Sequence, residues 1–395
     1  MGNIKDKVAI VGMGCCKFGE NWDRSAGDMI IEAVYEALDD AKMELKDIDA
    51  GWVGTLLGGY GGSVLAEPLQ WNNAPITRVE GNCTSSSDAL RNACFSIAAG
   101  MYDIVLVVGF EKSKDTGAGQ LTFPYGMHPV YVYTQAPAAF GLAGIRYAEK
   151  YGISMEDYKI LIAKIAVKNH RNGTMSPKAH FQREVTIEQV INAPIIGWPH
   201  GLYDCCPTTD GAAAAIICKA NLAKSFRDDY ILVKGLGFVA GARDTYSGKT
   251  KRKEFDYAVW PETEVAAKQA YEQVGIKNPR QEISVANVHD CFTTTELINY
   301  ESLGFSLKGK AKEDIDSDFF TLEGGLPVNT DGGLKSFGHP IGASGLRMVY
   351  EIYKQLQDKA GPRQIKNPTL GLAHTMGGNP TGSFQTAVVI IGTRD

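Results

Sequence analysis

The chain lacks any apolar run approaching the roughly 20 residues that a membrane-spanning helix needs, so no bilayer segment is expected. It also lacks a basic excess. Forty Lys and Arg against 45 Asp and Glu leave a net charge of −5, which argues against nucleic acid as the main partner. Eight cysteines in 395 residues are too few for a disulfide scaffold. Cys94 and Cys218 lie inside apolar segments, which points to reduced thiols. The start MGNIKDK has no apolar signal core and Asp6 breaks a myristoylation pattern. The end GTRD is no peroxisomal address, so the expected location is cytoplasmic. No phosphate-loop or nicotinamide motif is present, and no CxxC or paired-histidine spacing announces a metal.

What remains is an ordinary globular composition, 44% hydrophobic and 22% charged, and a pattern stated twice. KVAIVGMG (7–14) reads as a buried strand and AGDMIIEAVYEALDDAKM (26–43) as a helix. A strand running into glycines follows (DIDAGWVGTLLGG), then a helix after Cys83, then DIVLVVGFE (103–111) as a strand. Downstream the order recurs. YILVKGLGFVAG (230–241) reads as a strand, ETEVAAKQAYEQVGI (262–276) as a helix and EISVANVHDCF (282–292) as a strand. A glycine-led helix GHPIGASGLRMVYEIYKQLQDKAG (338–361) and the strand TLGLAHTMGG (369–378) complete it. Two copies of one strand–helix–strand–helix–strand unit predict an α/β fold of two similar halves about a pseudo-twofold axis. The expected boundaries are residues 1–118 plus 200–225 for the first half, 119–199 for an inserted loop domain covering a site, and 226–395 for the second half.

Cys83 stands in VEGNCTSSSDALRNA, where polar residues lead into an apolar-periodic helix. A cysteine in a first helical turn sees unpaired N–H groups and the positive end of the dipole, both of which favour thiolate. A small buried hydrophobe is the competing reading. In the second half the corresponding helix start is preceded by His339, so the symmetry can bring Cys83 and His339 to one point. Histidine before a helix N-terminus tends to stay neutral, as a general base toward a thiol requires; a structural turn cap is the alternative. His289 and Cys291 in HDCF lie at the end of a strand, where open α/β sheets place ligands. Gly377 and Gly378 in HTMGG would let backbone N–H groups approach a reacting oxygen. Two cysteines and two histidines also fit a zinc site, but scattered single ligands argue against one. Adjacent Cys205 and Cys206 point opposite ways, which favours packing. In the insertion, Tyr125, Tyr131, Tyr133 and Trp198 either line a pocket or pack locally. Arg171, Lys178 and Arg183 are candidate phosphate contacts or a solvated face.

NCTSSSDALRNA with DIVLVVGFEKSKD, then HDCF, NTDGGLKSFGHPIGASGLR and AHTMGGNPTG, in this order over nearly the whole chain, resembles the thiolase superfamily. HDCF resembles its archaeal-type and sterol-carrier-protein-type branch, where commoner members carry NEAF. The resemblance implies a thiolase fold of five layers, α-β-α-β-α. It implies Cys83 as acyl-accepting nucleophile, activated by His339. His289 would help build one oxyanion hole, and the N–H groups of Cys83 and Gly377 the other. Thr375 stands where commoner thiolases have an acid/base cysteine, so Cys291 would supply that thiol. Ser86 replaces a common glycine, which puts a simple acetyl assignment in doubt.

The implied reaction is CoA-dependent cleavage of a 3-oxoacyl-CoA, or the reverse Claisen condensation. Coenzyme A is the substrate, no cofactor is covalently bound and no metal is required. Some members of this branch cleave bulky or aromatic esters such as benzoylsuccinyl-CoA. The resemblance also implies a homodimer or dimer of dimers, and a small zinc-ribbon and OB-fold partner protein. The competing functions are a condensing enzyme or other C-acyltransferase on the same fold, distinguished by Cys291, and a non-catalytic scaffold, distinguished by whether an acyl-CoA protects Cys83 from alkylation.

Overall fold

The computed structural model describes residues 3–116, 135–241, 256–379 and 383–394. Nine strands form its main sheet: β1 (Val8–Cys15), β2 (Ala50–Gly54), β3 (Ile76–Val79), β4 (Ile104–Glu111), β5 (Gly211–Lys219), β6 (Ile231–Ala240), β7 (Val285–Val288), β8 (Leu370–Asn379) and β9 (Ser383–Gly392). The helices of ten residues or more are α1 (Ala26–Ala41), α2 (Ser85–Ala98), α3 (Ala136–Lys150), α4 (Met155–Thr174), α5 (Pro261–Val274), α6 (Thr293–Ser302) and α7 (Ser344–Leu356).

The sheet order is β3-β2-β4-β5-β1-β6-β9-β8-β7. Outward from its centre, the first half reads β1-β5-β4-β2-β3 and the second β6-β9-β8-β7. The hydrogen-bond senses match as well. β5 is antiparallel to β1 and β4, while β2 is parallel to β4. In the second half β9 is antiparallel to β6 and β8, while β7 is parallel to β8. The counterpart of β3 is reduced to one parallel bridge, Ala286 to Val328. The halves join where Ala9 faces Leu232 and Ile10 faces Ile231.

Strands buried on both faces read as continuous apolar runs, and β1 and β5 do so for that reason. Helix α1 starts on a Ser25–Asp28 capping box and buries Met29, Ile30, Ala33, Val34, Ala37, Leu38 and Ala41, one stripe at helical spacing, against β1 and β5. Helix α5 covers β6 and β9 in the same way. Between the half-sheets lie α2 and α7. Helix α7 packs on β7, β8 and β9 of its own half, on β1, β4 and β5 of the other, and on α2. The sheet therefore bends back around the helix pair, giving layers α1, sheet, α2 with α7, sheet, α5.

The segment between β4 and β5 supplies α3, α4 and a small antiparallel hairpin, Ile195–Gly197 with His200–Gly201. Both α3 and α4 pack on α6, the fully buried helix that follows HDCF, and α4 also meets the short helix Gly333–Ser336. Two elements differ from the sequence expectation. The GHPIGA segment is not helical, and α7 begins only at Ser344. The strand expected over 282–292 ends at Val288, so HDCF forms the turn into α6.

Candidate active site

Three chain segments converge. Cys83 lies in the turn before α2, held by hydroxyls on its own backbone: Thr84 donates to the Gly81 carbonyl at 2.6 Å and Ser85 to that of Asn82 at 2.5 Å. Asn82 takes the left-handed conformation (φ 52°) that short polar residues tolerate. Helix α2 starts at Ser85 with Thr84 as its N-cap, so Cys83 precedes the first turn rather than occupying it. Its thiol is pushed well above the ordinary cysteine value, first by burial and then by Cys206 and Glu111. Desolvation works against the favourable N–H groups and shifts the residue toward the thiol, opposite to the direction expected from the sequence.

His289 follows β7, where its backbone N–H donates to His374 Nδ1 at 3.4 Å. The Asp290 carboxylate turns away from the site and accepts from the N–H groups of Leu334 (2.6 Å) and Lys335 (3.1 Å) and from Asn169 (2.9 Å). Burial and nearby Glu296 raise its pKa to about 7. Cys291 Sγ lies 3.5 Å from Thr295 Oγ1, and burial raises its thiol as well. Phe292 packs against Phe140 and His200 at centroid distances of 5.0 and 5.2 Å, fixing the turn to α3 and the hairpin.

His339 arrives on the loop before α7. Ser344 donates its hydroxyl proton to the Pro340 carbonyl at 2.9 Å, so its oxygen accepts from His339 Nδ1–H at 2.7 Å. That arrangement assigns the proton to Nδ1 and leaves Nε2, which has no partner, as a bare acceptor. Burial, then Arg347, holds this imidazole down at about 3. His289 is lowered by burial and by His339, His374 and Arg347, and its Nδ1 also has no partner. The two rings meet edge to face with centroids 5.3 Å apart. One ligand atom each from Cys83, His289 and His339 lie within 4.8 Å of one another.

The loop carrying His339 is tied to the first half by Glu111, which accepts from the N–H groups of Leu56, Leu57 and Gly342 and from the Thr55 hydroxyl. A Cβ at Gly342 would lie 2.3 Å from the Phe110 carbonyl, so only glycine fits this crossing. A Cβ at Gly377 would lie 2.6 Å from the Cys83 nitrogen, which sets the β8 backbone directly against the turn that carries Cys83.

Other sequence candidates fall differently. Ser86 is fully buried between α2 and α7, its hydroxyl accepting from Leu346 N–H at 3.1 Å, so it faces the helix interface rather than an acyl pocket. Thr375 is tied to Ser87 at 2.9 Å. Trp198 is half exposed on the hairpin with Lys159 over its ring. Tyr125, Tyr131 and Tyr133 lie outside the described residues. Lys178 is held by Glu36 and the Cys15 carbonyl, and Arg183 by the Tyr203 hydroxyl at 3.1 Å, while Arg171 is exposed 3.7 Å from Glu323. The sequence singled out no role for His374 and read Cys206 as packing. Cys206 N–H donates to the Cys291 carbonyl at 2.9 Å, and Cys205 bridges Phe292 antiparallel, which sets Cys206 opposite Cys291. Local spacing carries no signal for a contact made across 85 residues.

The chain is 34% identical over 98% of its length, and 99% of the relative's, to an acetyl-CoA acetyltransferase of Methanothermobacter thermautotrophicus. The chain belongs to the thiolase family. The thiolase N-terminal domain matches residues 8–192 and the thiolase C-terminal domain-like family residues 247–393. This thiolase is also 35% identical to non-specific lipid-transfer protein-like 2 of Caenorhabditis elegans, over 95% of both chains. It is 32% identical to human sterol carrier protein 2 over 94% of this chain and 70% of that one. Among solved structures, a complex described as Ltp2-ChsH2(DUF35) aldolase superposes with a TM-score of 0.81 at 24% identity, covering 99% of both chains. Human mitochondrial 3-ketoacyl-CoA thiolase superposes with a TM-score of 0.72 at 16% identity over 100% of both. These likenesses establish the fold of the thiolase. Among the described residues no helix is long and apolar enough to cross a membrane.

Proposed function

We propose that the protein catalyses CoA-dependent cleavage of a 3-oxoacyl-CoA, or its reversal, through an acyl group on Cys83. The observation that carries this reading is the meeting of Cys83, His289 and His339 donor atoms within 4.8 Å. Cys83 sulfur adds to the ketone carbon while its proton passes to bare Nε2 of His339. The N–H groups of Cys83 and Gly377 hold the developing oxyanion. Carbon–carbon cleavage leaves the acyl group on Cys83 and an enolate of the shorter thioester, whose oxygen is held at His289. Cys291 gives its proton to the enolate carbon. His339 returns its proton to the Cys291 thiolate, then takes the thiol proton of incoming CoA. Attack of CoA on the acyl thioester expels Cys83, which recovers that proton.

Burial fits this sequence, because a neutral thiol beside a neutral imidazole needs no charge until substrate arrives. Burial raises the Cys83 and Cys291 thiols and lowers His339, so these shifts oppose charge separation between them, and oxyanion stabilisation has to offset that cost once substrate is bound. Cytoplasmic location, assembly as a homodimer and a small zinc-ribbon and OB-fold partner belong to the same proposal. The partner draws support from the complex named above, which pairs a chain of this fold with a second component. A bulky acyl group belongs to the same proposal; Trp198, half exposed on the hairpin, is its candidate pocket residue among the described ones.

The test is purified protein assayed for CoA-dependent cleavage on acetyl, branched and aryl 3-oxoacyl-CoA esters. Cys83→Ala should lower turnover by at least about a thousandfold, as removal of other enzymic nucleophiles does. Cys291→Ala should stop protonation of the released enolate. Full thiolysis by Cys291→Ala would favour a condensing enzyme, and turnover of no ester on the panel would end the reading.

A further inference from the structure

The same three side chains form a set of soft donors that the reaction does not require in that capacity. Among the described residues, one atom each from Cys83, His289 and His339 fall within 4.8 Å of one another. Tetrahedral zinc with sulfur at about 2.3 Å and nitrogen at about 2.1 Å separates its ligand atoms by about 3.6 Å, within reach of small side-chain rotations. His289 Nδ1 and His339 Nε2 are buried without a partner. His339 Nδ1–H is fixed by Ser344, the second contact that orients a metal-binding imidazole. His289 is steadied instead through its backbone, by His374. Cys83 is the least buried of the three, at 7% exposure against 1% and none, so a cation would enter past the sulfur.

We infer that this site captures a thiophilic divalent cation, zinc or a metal of similar chemistry, on Cys83, His289 and His339, and that capture reversibly blocks the nucleophile. The Cys83 thiol releases one proton to solvent as sulfur becomes a ligand, and nothing is oxidised or reduced. Three protein ligands leave a fourth position open to water or to a substrate thiol. From the sequence, a zinc site fits the residue types and is set aside for want of local spacing, a signal that donors from three separate segments cannot leave. The capture needs only the resting geometry, so it stands or falls apart from the thiolase reading.

The full-length protein, kept reduced with a phosphine, is titrated with Zn²⁺ alone while iodoacetamide labelling of Cys83 is followed by peptide mass. One equivalent should protect Cys83, and EDTA should restore labelling. Co²⁺ should give sulfur-to-cobalt charge-transfer absorption that is lost in Cys83→Ser and retained in Cys206→Ala. Affinity should fall at least about tenfold in His289→Ala and, through the lost orienting contact, in Ser344→Ala. Unchanged labelling at one equivalent of Zn²⁺, or an undiminished charge-transfer band in Cys83→Ser, would overturn the inference. A protein inactive on every ester but protected by zinc would sink the thiolase reading and leave this one standing.

Discussion

At the scale of single residues, burial shifts the groups of the site toward their neutral forms. Burial raises the Cys83 thiol and lowers His339 to about 3, so the pair rests uncharged. The rate of Cys83 alkylation in the free protein should therefore keep climbing with pH beyond the ordinary cysteine value of about 8.5. A plateau at or below that value would show a stabilised thiolate instead. Gly377 supplies a second residue-level test. Its missing Cβ would sit 2.6 Å from the Cys83 nitrogen, so Gly377→Ala should lower kcat by about a hundredfold or more, with the far-ultraviolet circular dichroism unchanged. Much of this was legible. Cys83, His289, Cys291 and His339 stood out in motifs whose residue types belong together chemically. The state of the thiol was not, because a helix-terminus argument counts nearby N–H groups and cannot see how little water reaches the sulfur. The direction of Ser86 was hidden for a related reason: its hydroxyl accepts from Leu346 on α7, 260 residues away.

At the scale of elements, the chemistry hangs on loops rather than on the strands and helices that announce themselves by periodicity. Alternation and helical spacing located the two sets of strands and helices, and the repeat paired them. Periodicity could not show that GHPIGA stays irregular until Ser344, since its small residues suit a helix start and a tight loop equally. What holds that loop is Glu111, at the end of β4. Its Oε2 accepts from Leu56 and Gly342 N–H groups and its Oε1 from Leu57 and Thr55. In Glu111→Gln one end must present an NH₂ group to backbone donors. A loss of about 1–3 kcal/mol in urea unfolding is expected, the cost of an unsatisfied buried group, together with a lower kcat. Unchanged stability would mean that water replaces the lost acceptor.

At the scale of the whole molecule, the two halves share one interior. Arg347 on α7 and Asp331 form an ion pair 2.5 Å long with both side chains fully buried. Arg347→Met would strand the Asp331 charge and should cost about 3–5 kcal/mol, whereas Arg347→Met with Asp331→Leu should recover much of that loss. Both can be read from denaturant midpoints. Because α2 and α7 touch strands of both half-sheets, unfolding should follow a single transition by calorimetry and by fluorescence; two separated transitions would contradict the shared layer. The repeat was visible in the chain, but the wrapping of both sheets around one helix pair was not. It depends on the two-residue seam between β1 and β6, where no sequence pattern distinguishes joined strands from neighbouring ones.

That enclosed helix also limits how the protein can change over time. A residue on α7 answers to neighbours from both halves at once, so nearly any substitution there disturbs two surfaces that would have to adjust together. New substrate preferences must instead arise where a side chain has only one set of neighbours, as in the hairpin and helices that the insertion adds around α6.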